Sequence, residues 1–113
     1  GCGYHGKSNG GNLQMDSVLN EKWFELSLVQ QMINIGNEVK RALKFSADLD
    51  KRDMFFDRAI QYTNFTMEDP KNAHVLSELL ISKEVLEDYR GEHNLACTGE
   101  QINGYYQAYQ YLL

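Results

Sequence analysis

Ser27-Leu28-Val29-Gln30 and Thr98-Gly99-Glu100-Gln101 decide how this chain is read. Each puts a hydroxyl residue at a helix N-cap and a glutamine three residues further on. In that capping box the two side chains satisfy each other's free backbone N–H groups. Each box is followed by an apolar stripe of helical period. Between the boxes, Asp69-Pro70 parts two more such stripes, with aspartate as cap and proline in a first turn that needs no N–H. Gly91 closes the second of them. Four helices with marked ends result.

Working outward, the first helix spans about Leu28 to Phe45, with Leu28, Met32, Ile35, Val39, Ala42 and Leu43 inward. The second spans about Lys51 to Met67 with Asp50 as its N-cap and Phe56, Ala59, Ile60, Thr63 and Met67 on one face. The third runs from Pro70 to about Tyr89 through Val75, Leu76, Leu79, Leu80, Val85 and Leu86. The fourth runs from Gly99 or Glu100 to the end, with Ile102, Tyr105, Tyr106, Tyr109, Leu112 and Leu113 inward. A short lead-in helix over Asn20 to Leu26 carries Trp23 and Phe24. Short connections favour antiparallel neighbours, so the expected fold is all-α, an antiparallel up-down bundle of four main helices. Gly36 lies beside the first stripe, either tolerated there or marking close approach by another helix.

The chain has 113 residues, 42% hydrophobic and 24% charged, enough for one domain with one core. Residues 1–12 hold Gly1, Gly3, Gly6, Gly10 and Gly11 and read as a flexible tail; residues 13–113 form the single helical-bundle domain. No apolar run is long enough to span a bilayer. The net charge of -5 disfavours a sequence-independent grip on nucleic acid. Cys2 and Cys97 are too few for a disulfide framework. No secretory signal pattern is present. The expectation is a cytoplasmic protein with no nucleic-acid or membrane partner and no cofactor.

Asn34-Ile35-Gly36-Asn37-Glu38-Val39, Asp57-Arg58-Ala59-Ile60 and Asp69-Pro70-Lys71-Asn72 resemble an uncharacterised family of small bacterial and archaeal helical proteins. Lys22-Trp23 ahead of Leu26-Ser27-Leu28, and Gly91-Glu92 before Asn94, carry the same resemblance. It covers about residues 20–110, supports a four-helix reading and implies no activity.

Several motifs fail on context. Gly1 to Ser8 matches the phosphate-binding P-loop formally, but no strand precedes it and more glycine follows. Cys2, His5, His93 and Cys97 have spacings that zinc accepts, yet the two pairs lie far apart in glycine-rich or loop sequence. A metal-binding protein through these four is therefore an alternative reading, and no metal site is assigned. The di-iron bundle pattern needs Glu-x-x-His, which is absent, and the acids of the third helix read as a solvated face. HEPN nucleases carry an arginine with a histidine beyond a gap of four to six residues, and no arginine here has one. Cys97 and His93 sit in loop sequence that does not fix the hydrogen bond a nucleophile needs, so no catalytic residue is assigned.

Two constellations remain. Asn34, Glu38 and Arg41 share a flank of the first helix that Arg58 can meet, either as an inter-helix ion pair, the preferred reading, or as a polar ligand pocket. On the second helix, Met54 and Phe65 lie opposite Phe56 and Thr63, with Arg58 between, a composition suited to an interface core. The function expected first is a non-enzymatic helical interaction module, a homodimer or one docking on a protein partner. The alternative is a small-ligand or nucleotide-binding accessory subunit resembling the HEPN-like partners of nucleotidyltransferases.

Overall fold

The computed structural model describes residues 20–113. The expected tail, the Gly1–Ser8 motif, Cys2, His5 and the apolar residues Leu13, Met15, Val18 and Leu19 lie outside the described residues. Within them every regular element is helical and none is a strand. A lead-in helix covers residues 20–24. The main helices are α1 (Leu28–Lys44), α2 (Leu49–Glu68), α3 (Leu76–Arg90) and α4 (Gly99–Gln107). A 3-10 helix, Pro70–Val75, leads into α3, and another, Ala108–Leu112, prolongs α4. None of these helices is long and apolar enough to cross a membrane.

Both capping boxes form. Ser27 Oγ accepts from the Gln30 N–H at 3.1 Å while Gln30 Oε1 accepts from the Ser27 N–H at 2.9 Å. Thr98 and Gln101 repeat the exchange at 3.0 and 2.9 Å. The cap of α2 is Asp48 rather than Asp50: its carboxylate accepts from the Lys51 N–H at 3.2 Å. Asp50 sits instead in the first turn, where the helix dipole favours its charge. Asp69 caps the 3-10 helix as expected of the residue before Pro70.

Met32, Ile35, Val39, Ala42, Phe56, Ala59, Leu79, Leu86, Ile102 and Tyr106 build the core. Contacts between α1 and α2 run in opposite order along the two helices. Gln31 reaches Asp69, Glu38 faces Arg58, and the Phe45 ring stacks on Phe55. Beside Phe55, in the first half of α2, Phe56 meets Tyr89 of α3 with ring centroids 5.6 Å apart. Gly36 marks a close approach: a Cβ there would stand 2.6 Å from Tyr106 Cβ of α4.

Two expected inward sets are only partly buried. On α3, Leu79 and Leu86 are core, whereas Leu76 and Leu80 are exposed. None of the described elements covers them. The fourth helix loosens after Gln107, and Leu112 and Leu113 are exposed as well. The change to three residues per turn takes them off the line of Ile102 and Tyr106.

A polar knot ties the lead-in helix to the end of α2. Trp23 Nε1 donates to Thr66 Oγ1, and Gln31 Nε2 donates to both the Trp23 carbonyl and Asp69 Oδ2. Asn72 Nδ2 donates to Gln31 Oε1 and to the Thr66 carbonyl. Lys71 pairs with Asp69 and donates to the Phe24 carbonyl at 2.9 Å. Gln31, Thr66, Asp69 and Asn72 are all buried, so these bonds replace water the groups have lost, Asn72 Oδ1 excepted, which has no partner among the described residues.

Candidate functional site

The structure brings together three of the four residues read as a polar pocket. Glu38 is buried at the seam of α1 and α2, and its Oε2 accepts from Arg41 Nη1 at 2.7 Å. Its Oε1 lies 3.6 Å from Arg58 Nη1 and takes no hydrogen bond. The Arg58 guanidinium rests over the Phe55 ring, 5.5 Å from its centroid. Asn34 is half-buried on the same helix and makes no side-chain hydrogen bond to the other described residues. One carboxylate shared by two half-exposed arginines is an ion-paired seam, and it holds α1 to α2.

The three residues read as an interface separate. Phe65 is 6% exposed and packs in the core beside Trp23 and Tyr62, which overturns its reading as an outward anchor. The helical wheel correctly sets it opposite Phe56, but the lead-in helix folds back over that side of α2. Met54 remains exposed and, with Arg58, borders a broad hollow of about 820 Å³ between α2 and α3. Asp57, Gln61, Lys83, Glu87 and Arg90 make that hollow polar. Arg90 is already engaged there, its Nε 2.6 Å from Asp57 Oδ1.

Of the Cys/His set, His93 and Cys97 are described. His93 has a left-handed backbone, φ 59°, and its ring lies against Tyr89. Cys97 is a free, half-buried thiol. No three His, Cys, Asp or Glu side chains are grouped to hold a metal among the described residues.

A second concavity, lined mainly by apolar side chains, is a groove between α3 and α4. Its volume is about 390 Å³, and Ile81, Val85, Cys97, Ile102, Tyr105 and Tyr106 line it. Ser82, Gln101 and Glu78 complete the wall. The loop after α3 connects the two helices and is pinned to the end of α3. Asp88 accepts the N–H groups of Asn94 and Leu95 at 2.6 and 3.0 Å, which fixes the loop's path. Glu78 stands at the rim, where its Oε2 accepts from the Tyr105 hydroxyl at 2.8 Å and the Tyr109 hydroxyl at 3.2 Å. Burial, then the hydrogen bonds to Tyr109 and Glu78, push the Tyr105 phenol above its ordinary pKa. Burial pushes Tyr106 up too. The Tyr105 hydroxyl donates to Glu78, and both rings belong to the groove wall.

The sequence held a sign of this groove. Ile81 and Val85 form a second apolar line on α3, four residues apart, beside Leu79 and Leu86. That is more apolar surface than one core-facing stripe requires. The core expected from the sequence omits Ile81 and includes Val85 and Tyr105. In the structure Ile81 is 61% exposed and Tyr105 36%. Comparison of the chain with family models, with curated proteins and with solved structures gave no match.

Proposed function

We propose that the protein is a non-enzymatic helical interaction module, an antiparallel bundle of four main helices, which docks on a partner protein through the α3–α4 groove. The observation that carries this reading is the groove itself: a concave wall of Ile81, Val85, Ile102, Tyr105 and Tyr106 beside solvent. Interfaces place aromatic and aliphatic anchors in such pockets and keep a polar rim around them, here Glu78 and Gln101. The resemblance to small bacterial and archaeal helical proteins and a cytoplasmic setting belong to the same proposal.

A photo-crosslinking residue at position 81, introduced in the source cells, tests it. A protein joined at position 81, not joined from Gln61 on the α2 side, supports the docking reading. The same set of proteins from both positions rejects it.

The second reading, a small-ligand or nucleotide-binding accessory subunit, draws on the hollow between α2 and α3, where Arg58, Lys83 and Arg90 meet. Calorimetric titration with ATP separates the two. Binding that disappears in Lys83→Ala places the function in that hollow instead.

A further inference from the structure

Resting on the docking reading above, we propose that the groove receives a basic amphipathic segment of the partner: large apolar side chains followed by a lysine or arginine that pairs with Glu78.

Charge decides the occupant. Among the described residues Glu78 is the single charged one in the groove wall, and none of their salt bridges includes it. Two tyrosine hydroxyls hold its Oε2, so the carboxylate is oriented before anything binds. A preplaced group spares the ligand the entropy of fixing it. Glu78 Oε1 makes no hydrogen bond among the described residues and stays free to accept one. Along α3, Ser77 and Glu84 flank Ile81 on its solvent side, while Lys83 and Arg90 border the hollow toward α2. The charged residues on the groove side of α3 near Ile81, Glu78 and Glu84, are thus acidic. The net charge of -5 adds a field that discourages an acidic partner.

Size sets the form of the contact. A space of about 390 Å³ takes a few side chains as anchors, not a whole helix. Apolar residues one turn apart on an amphipathic helix present such anchors, and the following turn carries the cation to the rim.

The test uses the full chain and two blocked, fluorescently labelled peptides of Leu, Ala and Gln in amphipathic order. They differ at one position, lysine or glutamate, in the turn after the leucines. Anisotropy titration is expected to show the lysine peptide binding about fivefold tighter. Glu78→Gln should bring that ratio close to one. Ile81→Asp should weaken both peptides about tenfold or more, and its exposed position makes loss of fold implausible, which circular dichroism checks.

A wild-type ratio near one, or a ratio untouched by Glu78→Gln, overturns the basic occupant; peptides still sensitive to Ile81→Asp would leave the docking reading standing. If neither peptide binds, or Ile81→Asp changes nothing, the docking reading falls with it. Tighter binding of n-octylamine, displacing the lysine peptide, makes the site a small-amine pocket and overturns the protein partner. A dimer in light scattering that Ile81→Asp dissolves gives the groove to a second copy and overturns it equally.

Discussion

The indole Nε1 of Trp23 donates to Oγ1 of Thr66 at 2.9 Å, joining residues 43 apart in sequence. Trp23 is the chain's single tryptophan and is buried. Thr66→Val keeps the shape but leaves the indole N–H buried without a partner. It is expected to destabilise the protein by about 1–3 kcal/mol. Denaturant unfolding followed by tryptophan emission reads both the loss and the local change.

Gly36 and Gly104 predict opposite signs for the same substitution. Alanine gains up to about 1 kcal/mol over glycine in a helix interior. At Gly104 a Cβ meets nothing within 4 Å, so Gly104→Ala should raise stability by about 0.5–1 kcal/mol. At Gly36 it would stand 2.6 Å from Tyr106 Cβ, and α4 would have to move. Overpacking of this kind costs about 1–3 kcal/mol, so Gly36→Ala should lower stability despite its propensity. Thermal melts of the two variants check the contrast.

Phe65 and Met54 separate the core from the surface of α2. Phe65→Ala should cost about 3–5 kcal/mol, because the ring leaves a cavity between Trp23 and Tyr62. Met54→Ala, at an exposed position, should stay within about 0.5 kcal/mol of wild type. Chemical denaturation of both is decisive; equal small effects would mean that Phe65 is not core.

Asp69 gives the acid limb of stability. Burial alone raises its carboxyl pKa, but hydrogen bonds from Lys71 and Gln31 outweigh that and hold it below the ordinary 3.8. The folded state therefore binds this proton more weakly than the unfolded chain. Its contribution is fully present above pH 3.8 and disappears as pH falls through the lower folded value. The stability difference between wild type and Asp69→Asn should be constant near neutrality and shrink below about pH 4. Urea unfolding over that range measures it.

The helix ends were legible because capping is local chemistry. Ser27 and Gln30, or Thr98 and Gln101, need only three residues of chain to find each other. Asp48 displaced Asp50 as the cap of α2 because two nearby aspartates offer the same carboxylate, and the backbone path into the helix chooses between them. The meeting of Glu38, Arg41 and Arg58 was also readable, since their spacing sets them on facing flanks once α1 and α2 pair.

By itself, then, the sequence determined the helical character of residues 20–113, the boxed starts of α1 and α4, the stop of α3 at Gly91 and most of the α1 and α2 core faces, all of which follow from short-range hydrogen bonds and periodicity. The tertiary structure decided what lies over each remaining apolar side chain. Phe65 is core because the lead-in helix covers it, and Ile81 is exposed because α4 stands off from α3. Periodicity names the face of a helix on which a residue sits; burial depends on what distant chain packs there. The knot of Trp23, Gln31, Thr66, Asp69 and Asn72 had no sequence signal for the same reason: its bonds between one side chain and another span 38 to 43 residues and exist only after the chain has folded back.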